Sequence, residues 1–431
     1  MKKNRFSFGD LLEITTTKDK FTGTYMPGSN SERIVLKLEN GYNIGIEQKS
    51  IKKTFVKKRF EKTEKKPAKI SAKEGLKKIT ILHTGGTVAS KVDYKTGAVS
   101  ASFKPEDLIE MFPELGKIAN IDSRLIRNMW SDDLRFKHFG LIAKEIEKEV
   151  KKGKDGVIVG IGTDNLAVAS CALAFILENV NIPVILVGAQ RSSDRGSSDA
   201  GMNLICAAEF IRQSNFAGVG ICMHDKTSDN DCVILNPCKT KKLHTSRRDA
   251  FRSVNDDVIA RINFDSKKIT YTGKYESKDS KKKLKVRDKF EEKVGLLKVH
   301  VNMDPKQIEF FKGYKGLVIE GTGLGHMPLD TIDAYTKVHL KIRKALEKLA
   351  KKMPVVMCSG CLFGRVNMNV YSKGKDLQEI GVISGEDMLA ETAFVKLAWL
   401  LANEKKNAKK LVGYNLRGEI NKRINLEHYL W

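Results

Sequence analysis

Apolar and polar positions follow two different rhythms along the chain. Over the first 56 residues they alternate with a period close to two. The stretch RIVLKLENGYNIGIEQ (33–48) carries such alternation on both sides of Asn40-Gly41. A two-residue hairpin turn needs positive φ at both positions, and Asn-Gly supplies it, so this stretch predicts a β-hairpin. DLLEITTT (10–17) and KFTGTYM (20–26) continue the pattern. Four or five short strands of this kind predict a small β-barrel over 1–56.

From Ile79 the rhythm changes. Continuous apolar runs at 79–82, 157–161, 184–187 and 218–223 alternate with helical stretches. DDLRFKHFGLIAKEIEKEVKKG (132–153) puts Leu134, Phe139, Ile142, Ile146 and Val150 on one stripe and stops at Gly153. NLAVASCALAFILENV (165–180) is apolar nearly all round, which predicts a buried helix. Strands alternating with helices predict a doubly wound, mostly parallel sheet over 79–273, and such sheets bind ligands beyond their C-terminal strand ends. After a basic segment at 274–292, read as a linker without structure, the alternation resumes. VGLLKVHV (294–301), GLVIEGTG (316–323) and PVVMCSG (354–360) read as strands and AETAFVKLAWLLANEKKN (390–407) as a late helix. Residues 293–431 thus predict a smaller α/β domain.

Charge changes this picture in one respect. The net charge is +25, from 77 Lys and Arg against 52 Asp and Glu. Such a field attracts polyanions, RNA among them, and it also suits a lysine-rich or heat-adapted surface. Residues 57–78 are the basic linker between the first two domains; 51–78 hold twelve Lys or Arg and three Glu around Pro67. A solvated spacer and an RNA-contacting arm both fit. No apolar run reaches the ~18 residues that cross a bilayer, and the first residues show no secretory signal. Seven scattered cysteines suggest a reducing, cytoplasmic setting. Cys358-Ser-Gly-Cys361 is a single CxxC without a second pair, and no close histidine pair is present, so no metal site is predicted.

Each candidate for chemistry follows an apolar run. Thr84-Gly85-Gly86-Thr87 follows the first, Gly162-Thr163-Asp164 the second, GAQRSSDRGSSDAGMN (188–203) the third, and a loop with KTKKLHTSRRDAF (239–251) the fourth. TGGT is neither a Walker loop nor a dinucleotide fingerprint. It is either a plain glycine turn or a sterically open turn that presents a threonine nucleophile. A threonine hydroxyl needs a base or proton relay, and an aspartate-oriented lysine of lowered pKa is one way to build it. Helix capping accounts for Thr163, Asp164 and Ser131 as well as chemistry does, each taken alone. A solvated lysine run accounts equally for Lys239, Lys241 and Lys242.

In order, TGGT, Tyr94 in VDYKTGAVSA, GTD and GAQRSSDRGSSDAGMNL resemble the bacterial-type L-asparaginase/glutaminase family from about 79 to 430. HTSRRDAFRS (244–253), GRVNMNVYS (364–372), GVISGEDMLAETAFVKL (381–397) and NGYNIGI in the first domain resemble its archaeal glutamyl-tRNA(Gln) amidotransferase branch. The resemblance implies an asparaginase-like two-domain fold behind the barrel, and glutamine hydrolysis with Thr87 as nucleophile. It implies Tyr94 on a closing loop, Thr163, Asp164 and Lys242 as a proton relay, and Asp164 on the substrate α-amino group. Ser131 would bind the α-carboxylate, with backbone near Gly86 or Thr163 facing the oxyanion. Lys241 is the competitor for Lys242. The branch implies no cofactor in this chain, a companion E-type subunit that uses ATP and Mg²⁺ on Glu-tRNA(Gln), and a homodimer inside a heterotetramer with no membrane attachment. Three positions depart from the family pattern: Ile161 stands where histidine is usual, Gly196 where proline is usual, and Cys358–Cys361 replace a polar turn. A free L-asparaginase and a non-catalytic RNA-binding assembly subunit are the competing readings.

Overall fold

The computed structural model describes residues 6–39, 43–60, 73–85, 90–92, 99–101, 111–191 and 197–429. Its first unit is a five-stranded antiparallel sheet of β1 (Leu11–Thr16), β2 (Lys20–Tyr25), β3 (Arg33–Leu38), β4 (Asn43–Glu47) and β5 (Ile51–Lys58), ordered β4-β3-β2-β1-β5. Leu12, Ile14, Tyr25, Ile34, Leu36 and Ile46 form its core. Period-two patterning puts these side chains on one face, as a half-buried strand requires. The Asn40-Gly41 turn lies outside the described residues, but β3 and β4 pair antiparallel from Arg33↔Glu47 to Lys37↔Asn43. The pairing of β1 with β5 contains two register shifts, between Leu11 and Leu12 and between Thr15 and Thr16.

The second unit is built on eight strands. β6 (Lys78–His83), β9 (Asn120–Leu125), β10 (Gly156–Gly160), β12 (Pro183–Val187) and β13 (Gly218–His224) are parallel. β14 (Asp231–Leu235), β17 (Ala260–Asn263) and β18 (Ile269–Tyr271) extend the sheet antiparallel from β13, giving the order β18-β17-β14-β13-β12-β10-β6-β9. Short hairpins β7 (Ser90–Val92)/β8 (Val99–Ala101) and β15 (Thr240–Lys242)/β16 (Phe251–Ser253), with the bridge pair β11 (Leu177–Glu178)/β19 (Lys285–Val286), lie outside it. The chain passes from β6 to β9 on one side and then to β10 on the other. This reversal opens a crevice at the C-terminal ends of β6 and β10, where doubly wound sheets bind ligands.

Both faces of the sheet are covered at its centre, so central strands such as β10 and β12 are apolar and buried throughout. Val157 and Val159 face one layer and Ile158 the other. On the first face lie helices Phe136–Lys151 and Leu166–Ile176; on the second lies Ala200–Gln213. Helix Leu166–Ile176 is buried almost all round because a third helix, Ala390–Asn403, covers its outer side. Phe175 and Trp399 meet there with ring centroids 5.6 Å apart.

The third unit has four parallel strands, β20 (Val294–Lys298), β21 (Gly316–Gly321), β22 (Val355–Ser359) and β23 (Ile383–Ser384). It shares its late helix with the core of the second unit. A fully buried ion pair, Lys239–Asp387 at 2.6 Å, also joins the two. The 274–292 segment, which sequence presents as an unstructured linker, is seated on this seam. Phe290 stacks on Phe136 at 4.7 Å, Arg287 bonds Glu404, and the Trp399 indole donates to the Arg287 carbonyl. A few anchoring side chains hold down an otherwise lysine-rich strip.

Candidate active site

Three strand ends meet at the crevice. The Thr84 N–H donates to Gly160 O at 3.0 Å, and the Ile161 N–H donates to Val187 O at 3.0 Å. Backbone bonds therefore align the loops that follow β6, β10 and β12. Gly85 turns away with φ +92°, and a Cβ there would lie 2.9 Å from Asn128 Oδ1. Only glycine combines that dihedral with so close an approach. Gly85 is the last described residue before Gly86 and Thr87; these two and Tyr94 lie outside the described residues.

Ser131, Thr163, Asp164 and Lys242 are brought together from separate parts of the chain. Lys242 Nζ lies 2.9 Å from Thr163 Oγ1 and 2.8 Å from Asp164 Oδ1. The Lys242 side chain is 15% exposed and that of Asp164 69%, so the ammonium is sheltered while its carboxylate partner faces the opening. Ser131 is buried beside Gly162: a Cβ on Gly162 would stand 2.9 Å from Ser131 Oγ. Asn165 completes the contact, donating from its backbone N–H to Ser131 Oγ at 3.3 Å and from Nδ2 to Ser131 O at 2.9 Å.

The capping alternatives fail on this geometry. Asn165, not Thr163 or Asp164, occupies the N-cap of Leu166–Ile176, and no side chain caps that end. Ser131 opens a short 3-10 turn, Ser131–Asp133, while the long helix starts only at Phe136.

Strand alternation explains which lysine reaches the site. Neighbouring residues on a strand point to opposite sides. Lys242 reaches Thr163 and Asp164, whereas Lys241 pairs with Glu391 at the start of helix Ala390–Asn403. Lys239, two residues from Lys241, also turns to the small domain and meets Asp387. All three lysines are paired, so the run is not a solvated one.

A cavity of about 290 Å³ adjoins the pair, lined by Asp164, Asn165, Lys241, Lys242, Glu391 and Thr392 among others.

Sequence reading missed the residues that shape the third loop. Asp199 is fully buried, and its carboxylate accepts from the N–H groups of Gln190 and Arg191 at 3.0 and 2.9 Å. Asn203 Nδ2 donates to Asp199 and to Gly188 O, and Asn203 Oδ1 accepts from His224 Nδ1 at 2.6 Å. The i, i+4 spacing of Asp199 and Asn203 at a helix start was the available signal. Ile161 is fully buried in the apolar core. Gly196 lies outside the described residues. Cys358 is buried at the end of β22, where burial, with help from Glu391 and Glu320, pushes its thiol up to about 12. Cys361 is exposed.

Three family models match the chain: asparaginase, N-terminal, over 78–276; glutaminase/asparaginase C-terminal domain over 293–411; and GatD N-terminal domain over 6–56. The D-type subunit of glutamyl-tRNA(Gln) amidotransferase from Pyrococcus abyssi is 43% identical over all of this chain and 98% of its own length. The chain belongs to this GatD family. The Pyrococcus furiosus relative of the same name is 45% identical over 97% of this chain and 96% of its own, and a Methanococcus maripaludis relative is 42% identical over 97% and 99%. Among solved structures, the thermostable L-asparaginase from Thermococcus kodakarensis is similar with a TM-score of 0.70 and 26% identity, covering 80% of this chain and 99% of that one. L-asparaginase I from Vibrio cholerae is similar with a TM-score of 0.68 and 25% identity over the same shares. The GatD family therefore joins an asparaginase-like fold to an additional N-terminal antiparallel sheet. No helix among the described residues is long and apolar enough to cross a membrane.

Proposed function

We propose that this chain is the glutaminase subunit of a tRNA-dependent amidotransferase. It releases ammonia from glutamine for conversion of Glu-tRNA(Gln) to Gln-tRNA(Gln). The observation that carries the reading is the Lys242 ammonium held between Thr163 and Asp164 at the sheet's switch point. Full-length GatD relatives and an amidohydrolase fold support it.

The chemistry asks for a proton to move twice. Thr87, the family's nucleophile position, attacks the side-chain amide carbon and loses its hydroxyl proton. The amide nitrogen gains a proton and departs as ammonia. Water then attacks the acyl ester, frees glutamate and restores the hydroxyl. Thr163 and Lys242 form a hydrogen-bonded path that can pass one proton on toward the departing nitrogen as it receives the one from Thr87, with Asp164 fixing the lysine. Asp164 is exposed enough also to meet the substrate α-amino group, and we assign the α-carboxylate to Ser131. Tyr94 would close the loop over the bound amide, and backbone N–H groups near Gly86 or Thr163 would hold the oxyanion.

Amidation of a carboxylate consumes ATP with Mg²⁺, and we assign both to a companion E-type subunit that binds Glu-tRNA(Gln). A homodimer of this chain with two companions is the assembly we propose, in the cytoplasm. The +25 charge suits a complex that holds tRNA.

The test is ammonia release from glutamine and from asparagine, by the purified chain alone and with companion and Glu-tRNA(Gln). Glutamine hydrolysis that rises on both additions supports the reading. Strong asparagine hydrolysis by the lone chain, unmoved by either, replaces it with a free asparaginase. Silence throughout leaves an assembly subunit.

A further inference from the structure

Gly188 follows β12 and stands behind Thr163. It is buried, and its φ is not in the left-handed region, so its backbone suits any residue. What it lacks is space. A Cβ built on Gly188 would lie 2.8 Å from Thr163 Cγ2, 2.8 Å from Leu166 Cδ1 and 3.3 Å from Ile161 O. The Thr163 methyl therefore occupies the volume that a side chain at 188 would fill. A β-branched side chain has few χ1 choices, and fixing the methyl fixes the hydroxyl. With the methyl against Gly188, Oγ1 stands 2.9 Å from Lys242 Nζ.

Gly188 is itself held from behind. Its carbonyl accepts from Asn203 Nδ2 at 3.0 Å, and Asn203 is fixed by Asp199 and His224. His224 is buried, with Nε2 3.2 Å from Asp229, which pairs in turn with Arg248. Gly188 is thus a stiff wall.

We infer that Gly188 is a positioning residue for the amide hydrolysis. The space left by its absent side chain seats the Thr163 methyl and so aims the Thr163 hydroxyl at Lys242. The inference rests on the relay reading above. It assigns Gly188 no contact with substrate.

A double-substitution cycle on glutamine hydrolysis by the complex tests it, using wild type, G188A, T163S and G188A/T163S. Serine keeps the hydroxyl and removes the methyl. In the threonine background, G188A is expected to lower kcat at least tenfold with KM within threefold. In the serine background the same change is expected to cost less than threefold, because nothing is left for the new Cβ to displace at 163. Equal losses in both backgrounds, or no loss in the threonine background, overturn the inference. If G188A fails to fold, a folded double variant as active as T163S still supports it, and one that fails likewise overturns it. A wild-type complex that hydrolyses no glutamine defeats the glutaminase reading instead. Crystal structures of wild type and G188A then decide the inference. Displacement of the Thr163 methyl, with Oγ1 drawn out of hydrogen-bonding reach of Lys242, supports it; an unmoved Thr163 overturns it.

Discussion

Lys242→Met separates the catalytic reading of the Lys242 cluster from a structural one. Methionine keeps the apolar stem and deletes the ammonium. Two bonds go, at 2.9 Å to Thr163 and 2.8 Å to Asp164. Asp164 is 69% exposed, so water resolvates it, and the ion pair falls in the surface class of roughly 0–1 kcal/mol. The Thr163 hydroxyl loses one charged donor, about 1 kcal/mol more after allowing for partial exposure. The expected loss of stability is therefore about 1–2 kcal/mol, read as a shift of the urea midpoint at unchanged slope. A proton-transfer group is worth about 10²–10⁴ in rate, or roughly 3–5 kcal/mol of barrier. Steady-state ammonia release from glutamine by the complex should fall by that factor. Lys241→Met is the internal control. It breaks a half-exposed pair with Glu391 on the opposite side of the strand, and its rate should stay within about tenfold of wild type. A Lys242→Met variant that keeps more than a tenth of the rate, or a Lys241→Met variant that falls as far, refutes the relay.

Other outcomes follow from particular contacts. Asp387→Ala strands the fully buried Lys239 and should cost about 3–5 kcal/mol in equilibrium unfolding, while Lys239→Met with Asp387→Leu should cost much less. Asp199→Ala leaves the Gln190 and Arg191 N–H groups without their acceptor, so stability should drop about 1–3 kcal/mol and glutamine turnover should fall with it. The Arg247 guanidinium, then Arg252, hold the Asp249 carboxyl below its ordinary range against the opposing effect of burial. The stabilisation is present above the unfolded aspartate pKa and is lost as pH falls through the lower folded one; Asp249→Asn should flatten that acid limb of the stability profile. Brief alkylation of the native chain, read by peptide mass spectrometry, should label Cys361 and spare Cys358, whose buried thiol is a poor thiolate source.

Much of the sheet was legible because parallel strands covered on both faces are continuous apolar runs. Gly156–Gly160 and Pro183–Val187 stand out for that reason. The strands that escaped notice are edge or antiparallel ones with mixed composition, such as NIDSRL in β9 and ARIN in β17. Thr163, Asp164 and Lys242 were legible through ordered motifs, yet their partners were not. A lysine triplet carries no mark of which members face a small domain and which a crevice; only the strand's alternation and the fold decide that. Composition misled at 274–292, where lysine content looks the same in a free tether and in a strip pinned by Arg287 and Phe290. The role of Asn203 was hidden because its contacts arrive from Gly188, Asp199 and His224, the first and last of which are 15 and 21 residues away.

Helix Ala390–Asn403 has a consequence for how the chain is made. Val395, Leu397, Ala398, Trp399 and Leu400 belong to the same buried cluster as Leu166–Ile176 and β10. A nascent chain emerging from the ribosome N-terminus first can complete the antiparallel sheet of residues 11–58 early. It cannot close the core of the large sheet until nearly all of the protein has left the exit tunnel. At about 5–20 residues per second, the apolar flank of Leu166–Ile176 stays open for roughly 10–50 seconds after it appears. During that interval a chaperone, or a chain on a neighbouring ribosome, competes for the surface that residues 390–403 will later occupy.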